Sequence, residues 1–367
     1  MGILSIKQNS PIKAVAPMKA LLFTMALLCF AKVKATEQLP NLPEPVSNNA
    51  IAEVNAAEGK YLISFMGLGA GKTYADVHNK AWMLKVGDKR WQEAPEVPSS
   101  LPLKGRLASI AIGVKEYAYV FGGYTVAQDH TEISSPDNFR FDPISQKYTR
   151  IAPMPVPTDD AVALSYQDKY IYIISGWHND GNVNLVQIYD IESDSWAQGS
   201  PFLGKPVFGH AGGIVDNKIV VCDGVIVAAQ AQKRRTFKAE PSCYLGMINP
   251  QQHEKIDWRT IPHPTGVARY RMAAAGDESQ KRIVFMGGSD NPYNYDGIGY
   301  DGKPSGPSNK LWLYDLEKEA WSFATAAQAS MDHRGLILLP KQQKALTIGG
   351  MKENQTVIST VQDIALP

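Results

Sequence analysis

Short apolar segments that end in glycine recur along the chain, each followed by a second apolar segment, an acidic turn and an aromatic residue. The segment "YAYVFGG" (117–123) leads to "FRFDPISQKY", and "YIYIISG" (170–176) leads to "VQIYDIESDSW". The same order holds for "RIVFMGG" (282–288) with "LWLYDLEKEAW", and for "YLISFMG" (61–67) with "AWMLKVGDKRW". Short runs of β-branched and aromatic residues favour strands. The pattern therefore predicts repeated β units, with four short strands in each.

The number of units follows from the glycine turns, which recur about every 50 to 65 residues. They are found at Gly67, Gly123, Gly176, Gly224, Gly288 and Gly350. One such unit cannot cover its own apolar face, whereas a closed ring of units can. The sequence predicts an all-β, six-bladed β-propeller with four-stranded blades. A seven-bladed ring would need a seventh glycine turn.

The two ends of the chain bear on how this ring closes. The last unit, "ALTIGG" (345–350) with "VQDIAL", reaches Pro367 without room for an outer aromatic strand. We expect the N-terminal segment "TEQLPNLPEPV" (36–46) to supply that strand and close the ring, because closure removes exposed sheet edges.

The repeats resemble kelch repeats in order and spacing, over roughly residues 36–367. In the fourth unit, Asp223-Gly224 stands where three other units carry Gly-Gly, and a basic segment, "VIVAAQAQKRRTFKAEPSC" (225–243), follows it. Such a resemblance implies a propeller whose inner strands surround a central channel.

The N-terminal segment "MKALLFTMALLCFAKVKA" (18–35) has the form of an export signal: a lysine, a short apolar run and a small-residue cleavage site. We expect cleavage after Ala35, so that residues 1–35 are the signal and 36–367 form a single propeller in the periplasm or outside the cell. No membrane span then remains. The alternative to a cleaved signal is an uncleaved membrane anchor. Two start sites for translation remain open, Met1 and Met18. In an oxidising compartment, Cys222 and Cys243 either pair or stay free.

The charge balance and the motifs of the sequence limit the classes of function that it can have. The chain has 37 lysines and arginines against 36 acidic residues, so no overall field attracts nucleic acid. No zinc-binding spacing, phosphate loop or nucleophile elbow is present, and neither a metal nor a cofactor is predicted. Polar residues do stand at the starts of the predicted inner strands: Arg106, Asp159, Asp160, His210, Arg269, Arg271, His333 and Arg334. They predict a local anion site at the channel mouth, or else bonds that join neighbouring loops.

Three long loops follow glycine turns and are expected on one face of the ring: residues 123–139, 225–242 and 287–310. Long loops in compact folds are often functional. The third contains Tyr293, Tyr295 and Tyr300 among Asn, Asp and Gly, a composition suited to stacking on a sugar, or to a solvated loop.

A closer resemblance is to the bacterial N-acetylneuraminate epimerases, which are exported six-bladed kelch proteins. It rests on "LPNLPEPV", "YLISFMGLGAGKTY", "AWMLKV", "RWQEAPEVP", "GRLASIAIG" and "YAYVFGGY". This resemblance implies cofactor-free interconversion of the anomers of a sialic acid. In that family the proposed base is a glutamate directly after the blade-four glycine, with an arginine a few residues later. Here Val225 takes the glutamate position, and Arg234 or Arg235 matches the arginine.

Two hypotheses for function follow. The first is an exported mutarotase-like enzyme that acts on a sialic acid or related acidic sugar. Its candidate acid/base residues are Asp223, Glu240 and His210, and its candidate anion-binding residues are Arg106, Arg234, Arg235, Arg271 and Arg334. The second is a non-catalytic kelch module that binds a glycan or a protein partner through the loop-rich face.

Overall fold

The computed structural model describes residues 38–230 and 233–367, except for the side chains of residues 230–235. Within these residues it contains 31 β-strands and three single-turn 3₁₀ helices, at Tyr74–Asp76, Pro340–Gln342 and Glu353–Gln355. The main strands form six antiparallel sheets, in each of which the spatial order of the strands follows their order in the chain. The prediction of a six-bladed propeller is confirmed. The predicted export signal, residues 1–35, lies outside the described residues.

Blades one to three each have four main strands. Blade one comprises β1 (Ala50–Ala56), β2 (Gly59–Leu68), β3 (Val77–Lys85) and β4 (Gln92–Ala94). Blade two comprises β5 (Ile110–Val114), β6 (Tyr117–Phe121), a hairpin of β7 (Tyr124–Val126) and β8 (Glu132–Ser134), then β9 (Asn138–Asp142) and β10 (Lys147–Arg150). Blade three comprises β11 (Val162–Tyr166), β12 (Tyr170–Ile174), a hairpin of β13 (Trp177–His178) and β14 (Gly181–Asn182), then β15 (Val186–Asp190) and β16 (Ser195–Gln198).

Blades four and five have the same plan, and blade six is shorter. Blade four comprises β17 (Ala211–Val215), β18 (Lys218–Cys222), a hairpin of β19 (Val225–Gln230) and β20 (Lys233–Ala239), then β21 (Cys243–Asn249) and β22 (Gln252–Ile261). Blade five comprises β23 (Ala273–Asp277), β24 (Arg282–Met286), β25 (Ser308–Asp315) and β26 (Ala320–Ser330). Blade six comprises β27 (Ile337–Leu339), β28 (Lys344–Ile348), a hairpin of β29 (Met351–Lys352) and β30 (Thr356–Val357), then β31 (Val361–Ala365).

The predicted N-terminal closing strand is not confirmed, because residues 38–46 form no strand with β31 and the sixth sheet has three strands. The segment still lies along that blade, since Leu42 N donates to Ser359 O (2.8 Å) and Val46 N to Ile358 O (3.2 Å). Leu42 and Val46 pack in the apolar cluster shared by blades six and one. The ring is therefore closed in this region by side-chain packing and three backbone hydrogen bonds, the third from Gly350 N to Val46 O (2.8 Å).

Apolar clusters between adjacent blades hold the ring together, one for each of the six pairs. The aromatic residue of each outer strand or its approach packs against the preceding blade: Trp91, Tyr148, Trp196, Trp258 and Trp321. This confirms that the recurring aromatic packs between sheets. Trp258 has the same position in blade four, although no aromatic residue was predicted for that blade from the sequence.

The inner strands of neighbouring blades approach closely at glycines. A Cβ atom at Gly276 would overlap the carbonyl oxygen of Ile214 in blade four. Overpacking of this kind costs typically about 1–3 kcal/mol. We expect Gly276→Ala to lower the free energy of unfolding by about that amount, measured by urea denaturation. Gly306→Ala is the matched control, because a Cβ there meets nothing within 4 Å, and equal losses in the two variants would contradict the close approach.

A disulfide bond joins Cys222 and Cys243, which face each other across β18 and β21. The bond encloses the β19–β20 hairpin, with a sequence separation of 21 residues. This decides between the paired and free alternatives left open by the sequence.

Closing a loop of this length restricts the unfolded chain and stabilises the fold by about 3 kcal/mol. We expect Cys222→Ala/Cys243→Ala to lose about that much stability in denaturant melts. A reducing agent should lower the stability of the wild type and leave the double variant unchanged. A wild type that does not respond to reduction would contradict the stabilising role.

No helix among the described residues is long and apolar enough to cross a membrane.

Candidate functional site

One residue in each blade, just before the inner strand, has left-handed backbone angles. The six residues, with φ between 50° and 68°, are Asn48, Ala108, Asp160, Gly209, Arg271 and Asp332. Positive φ is uncommon outside glycine, and less so for Asn and Asp than for most other residues. Its repetition in all six blades marks an equivalent position around the propeller axis.

Backbone hydrogen bonds link these equivalent positions from blade to blade. Asp160 N donates to Ala108 O (3.0 Å), Gly209 N to Asp160 O (2.8 Å) and Arg271 N to Gly209 O (2.8 Å). Asn48 N donates to Asp332 O (3.3 Å), which connects the last blade to the first. We call these six residues the axial ring. It fixes the side chains of Asp160, Arg271 and Asp332 close to the axis.

An apolar layer covers the axial ring on the side of the long loops. Its members come from all six blades and include Leu68, Tyr124, Trp177, Phe208, Val225, Tyr270, Tyr293, Met331 and Met351. Val225, where the resemblance to the epimerases implies a glutamate, is fully buried in this layer and pairs with Phe208 in an isolated β-bridge. Its side chain is thus part of the apolar layer.

Three axial-ring residues and the nearby Arg334 form a buried network of two arginines and two aspartates. Arg271 Nη2 donates to Asp160 Oδ2 (2.6 Å) and its Nη1 to Asp332 Oδ1 (3.1 Å). Arg334 Nη2 forms an ion pair with Asp160 Oδ1 (2.9 Å). All four side chains are at most 3% exposed. The network is electrically neutral and joins blades three, five and six.

The pKa values in this network follow from burial and pairing. Burial acts to raise the pKa of Asp160, but Arg271 and Arg334 outweigh it and lower that pKa. Burial acts to lower the pKa of Arg271, but Asp160 and the other acidic side chains around it together outweigh burial and hold that pKa above its usual value. Asp160 and Arg271 are therefore both charged at neutral pH. Burial, together with the charge of Asp160, raises the pKa of the adjacent Asp159 well above its usual range.

A cavity of about 420 Å³ runs along the axis on the other side of the ring. Its polar lining includes Asp160, His210, His333 and Arg334 at the ring, and Glu53, Asn55, Ser165 and Glu278 further along the inner strands. Small-molecule sites commonly measure about 300–1,000 Å³. The cavity can therefore hold a ligand of monosaccharide size.

His210 is the histidine in this lining with an unused ring nitrogen. Its Nε2 lies 2.9 Å from the carbonyl oxygen of Ile174, and because a carbonyl only accepts, Nε2 carries the proton. Nδ1 is then an acceptor, and it is buried without a hydrogen-bond partner. Burial lowers the pKa of His210 to about 4, so the ring is neutral at physiological pH. His210 thus brings a neutral imidazole to the cavity wall, with one nitrogen that is able to accept a proton.

The other two acid/base candidates, Asp223 and Glu240, lie outside the lining of the axial cavity. The Asp223 carboxylate contacts His263 Nε2 (2.7 Å) and accepts from Arg269 N (2.7 Å). Glu240 forms an ion pair with Lys205 (2.9 Å). Neither Asp223 nor Glu240 lines the axial cavity. Of the three candidates, the structure places His210 alone there.

A possible metal-binding group includes one of these residues. Asp223, Cys243 and His263 offer ligand atoms within 4.8 Å of one another. The sulfur of Cys243 is bonded to Cys222, so it offers no thiolate in this structure.

Among the predicted anion-binding arginines whose side chains the structure describes, Arg106 lies apart from Arg271 and Arg334. Arg106 is fully buried within blade two, where Nη1 donates to Gly122 O (2.9 Å) and Asp137 O (3.2 Å). Arg106 therefore joins neighbouring loops, which is the second of the two roles predicted for these polar residues from the sequence. Arg334 lines the axial cavity, and Arg271 lies beside it in the network. The side chains of Arg234 and Arg235 lie outside the described part of the chain.

The three long loops lie on one face and touch each other. The ring of Phe237, in β20, lies 4.3 Å from that of Tyr300, and Tyr295 Oη lies 3.4 Å from His130 Nδ1. Tyr293 is fully buried beneath them, with its ring 5.0 Å from that of Tyr270. Tyr293 is thus part of the apolar layer and not of an open sugar-stacking surface.

Asn48 and Asp332 were not predicted as site residues from the sequence. Asn48 Oδ1 accepts from Ala108 N (2.6 Å) and from Arg334 Nη2 (2.7 Å), which ties blades one, two and six together. A signal was present in the sequence, because Asn, Asp or Gly occurs shortly before the inner strand in four of the six blades, at Asn48, Asp160, Gly209 and Asp332. These residue types accept left-handed angles more readily than others.

The repeats, the blade plan and the axial cavity define a six-bladed kelch-type β-propeller. Among known proteins, kelch-like protein 15 of Mus musculus is 29% identical over 164 residues, which are 44% of this chain and 25% of that relative. The chain thus spans about a quarter of the length of such kelch-like relatives. N-acetylneuraminate epimerase of Yersinia pestis (strain Pestoides F) is 23% identical over an alignment of 411 residues, covering 95% of this chain and 94% of that protein.

The solved structure of YjhT superposes with a TM-score of 0.69 at 14% identity, covering 89% of this chain and 97% of that one. This likeness supports the fold. No protein-family model matches the chain. The resemblance to kelch propellers and to N-acetylneuraminate epimerases, first noted in the sequence, is confirmed.

Proposed function

We propose that the protein is a mutarotase-like isomerase that binds a sugar in the axial cavity and interconverts its anomers, with His210 as the proton-transfer residue. The observation that carries the proposal is a cavity of about 420 Å³ lined by His210, a histidine whose Nδ1 is buried and has no hydrogen-bond partner. The similarity to N-acetylneuraminate epimerases over nearly the whole of both chains supports the reaction type. It also makes a sialic acid the first substrate to test.

Ring opening of a sugar needs one proton removed and one supplied. His210 Nδ1 takes the proton of the anomeric hydroxyl while the bond between the anomeric carbon and the ring oxygen breaks. A water molecule that enters with the sugar protonates the ring oxygen, and the proton on His210 then restores that water. Closure on the opposite face of the carbonyl reverses these steps and gives the other anomer. A base of low pKa stays unprotonated at neutral pH, as this step requires.

We further propose that the protein works outside the cytoplasm. The export signal predicted in residues 1–35 and the Cys222–Cys243 disulfide bond both support an oxidising compartment. Cell fractionation should find the mature chain, beginning near residue 36, in the periplasm or the medium. Recovery of the uncleaved chain in the cytoplasm would overturn this assignment.

The test of the isomerase is the rate at which a freshly dissolved single anomer equilibrates, followed by proton NMR. N-acetylneuraminate and the uncharged sugar N-acetylglucosamine are compared with and without protein. We expect faster equilibration of at least one sugar, and a loss of about a hundredfold or more in His210→Gln, since a general base contributes about 10²–10⁴-fold. Glutamine keeps the donor to Ile174 O and removes the imidazole base.

The matched control is His253→Gln, on outer strand β22, where the ring stacks on Tyr170. It should keep the wild-type rate. If neither sugar equilibrates faster with the wild-type protein than in buffer, the isomerase proposal fails for both.

The second candidate is a non-catalytic propeller that binds a glycan or a protein partner. One observation favours it: Val225, which stands where the resemblance to the epimerases implies a catalytic glutamate, is buried in the apolar layer. Sugar binding without faster anomer exchange, measured by calorimetry on the same samples, would favour this candidate.

A further inference from the structure

The charges around the axial cavity point to a substrate class, and this inference rests on the proposed function. We infer that the cavity selects an uncharged sugar over an acidic one. The similar epimerases are named for an acidic sugar, so the inference separates this chain from them in substrate.

The cations near the cavity are already neutralised. Arg271 and Arg334 face Asp160 and Asp332 in the buried network, two positive charges against two negative ones. Among the described residues that line the cavity, Arg334 is the one arginine, and no lysine is present. A ligand carboxylate would therefore meet no uncompensated positive charge.

The donors of Arg334 are also engaged. Nη1 donates to His333 O (2.8 Å), and Nη2 donates to Asn48 Oδ1 (2.7 Å) beside its ion pair with Asp160. Nε alone is without a partner. A bidentate contact with a carboxylate, the usual way in which arginine binds one, would require breaking the Asp160 pair.

The rest of the lining adds no positive charge. Glu53 and Glu278 face the same cavity, where Glu53 pairs with Lys60 and Glu278 with Lys281 (3.2 Å). With Asp160 and Arg334, the lining residues themselves hold three carboxylates and one cation. Burying a further carboxylate without a partner costs several kcal/mol, so an acidic ligand is disfavoured along the whole cavity.

The unused polar atoms suit hydroxyl groups instead. Of the cavity-lining residues, His210 has an acceptor without a partner, Nδ1, and Arg334 has a donor without one, Nε. A neutral sugar brings hydroxyls that both donate and accept, and it brings no charge to desolvate. The neutral ring of His333 completes the uncharged surface, because burial, followed by the charge of Arg334, lowers its pKa to about 3.

The test uses two forms of one sugar that differ in charge. Binding of N-acetylneuraminate and of its methyl ester is measured by calorimetry with the intact protein, and the anomer exchange of each is followed by NMR. N-acetylglucosamine serves as an unrelated uncharged sugar. We expect the ester to bind at least tenfold more tightly than the acid, and exchange to be accelerated for the uncharged sugars.

The outcomes separate the two proposals. Tighter binding and faster exchange of the acid than of its ester would overturn the inference and leave the isomerase proposal standing. Selective binding of the ester without faster exchange would support the inference and contradict the isomerase. Absence of binding by all three sugars would overturn both.

Discussion

Asp160→Asn should be among the most destabilising substitutions in the protein, with an expected loss of about 3–5 kcal/mol in the free energy of unfolding. Asp160 contacts both Arg271 and Arg334 inside the axial ring, and its side chain is 2% exposed. Without this carboxylate, the network holds two buried arginines against Asp332 alone. An uncompensated buried charge is costly because the interior solvates it poorly.

The matched control for that variant is Asp216→Asn. Asp216 also has positive φ and also forms an ion pair, with Lys281 (2.8 Å), but its side chain is 63% exposed. Asparagine tolerates left-handed angles in both places, so the pair isolates the effect of burial on the charge. Exposed ion pairs are worth about 0–1 kcal/mol, and the control should lose no more. Equal losses in urea denaturation would contradict the buried network.

His333 should make the fold sensitive to acid. It is neutral in the folded protein at a pKa of about 3, whereas the unfolded chain binds a proton near its ordinary value of 6.5. Above pH 6.5 the residue contributes no pH dependence. As pH falls below 6.5, the unfolded state gains a proton that the folded state lacks, and stability falls by about 1.4 kcal/mol per pH unit.

The measurement compares wild type with His333→Gln in denaturant melts at pH 7.5 and pH 4.5. Glutamine keeps a donor for Ser330 Oγ, which His333 Nε2 approaches at 2.9 Å, but does not titrate. Relative to wild type, the variant should gain about 3 kcal/mol on going to the lower pH. Comparison with the variant removes the opposing effect of Asp159, whose raised pKa favours the folded state as pH falls. A non-titrating surface change, Gln251→Ala, should show no such gain, and an unchanged difference for His333→Gln would contradict its burial as a neutral ring.

The repeat architecture could be predicted from the sequence because its signals are local. Glycine turns and alternating apolar strands lie within one unit, and the blade count followed directly from Gly67 to Gly350. The packing of Trp196 and Trp321 between sheets was predictable for the same reason, since both occur at a fixed place in the repeat. The closing strand was not, because residues 38–46 are held by packing on two blades and not by a sheet ladder.

The site was less predictable because its contacts span the chain. Arg271 and Asp160 are 111 residues apart, and sequence spacing gives no hint that they pair. Arginines at the starts of inner strands indicated an anion site, but the aspartates that neutralise them come from other blades. His210 was predictable as a residue at an inner-strand start, whereas the state of its two nitrogens depends on Ile174, in the neighbouring blade.

The most direct test of the central claim, that the sugar binds at His210 in the axial cavity, is ¹⁵N NMR of the histidine rings during titration with N-acetylglucosamine. The account predicts that the His210 Nδ1 resonance moves with the concentration of the sugar, because a ligand hydroxyl becomes its hydrogen-bond donor. The ring of His253, on an outer strand, should not move. A His210 resonance that stays in place while the sugar is shown by calorimetry to bind would contradict the account.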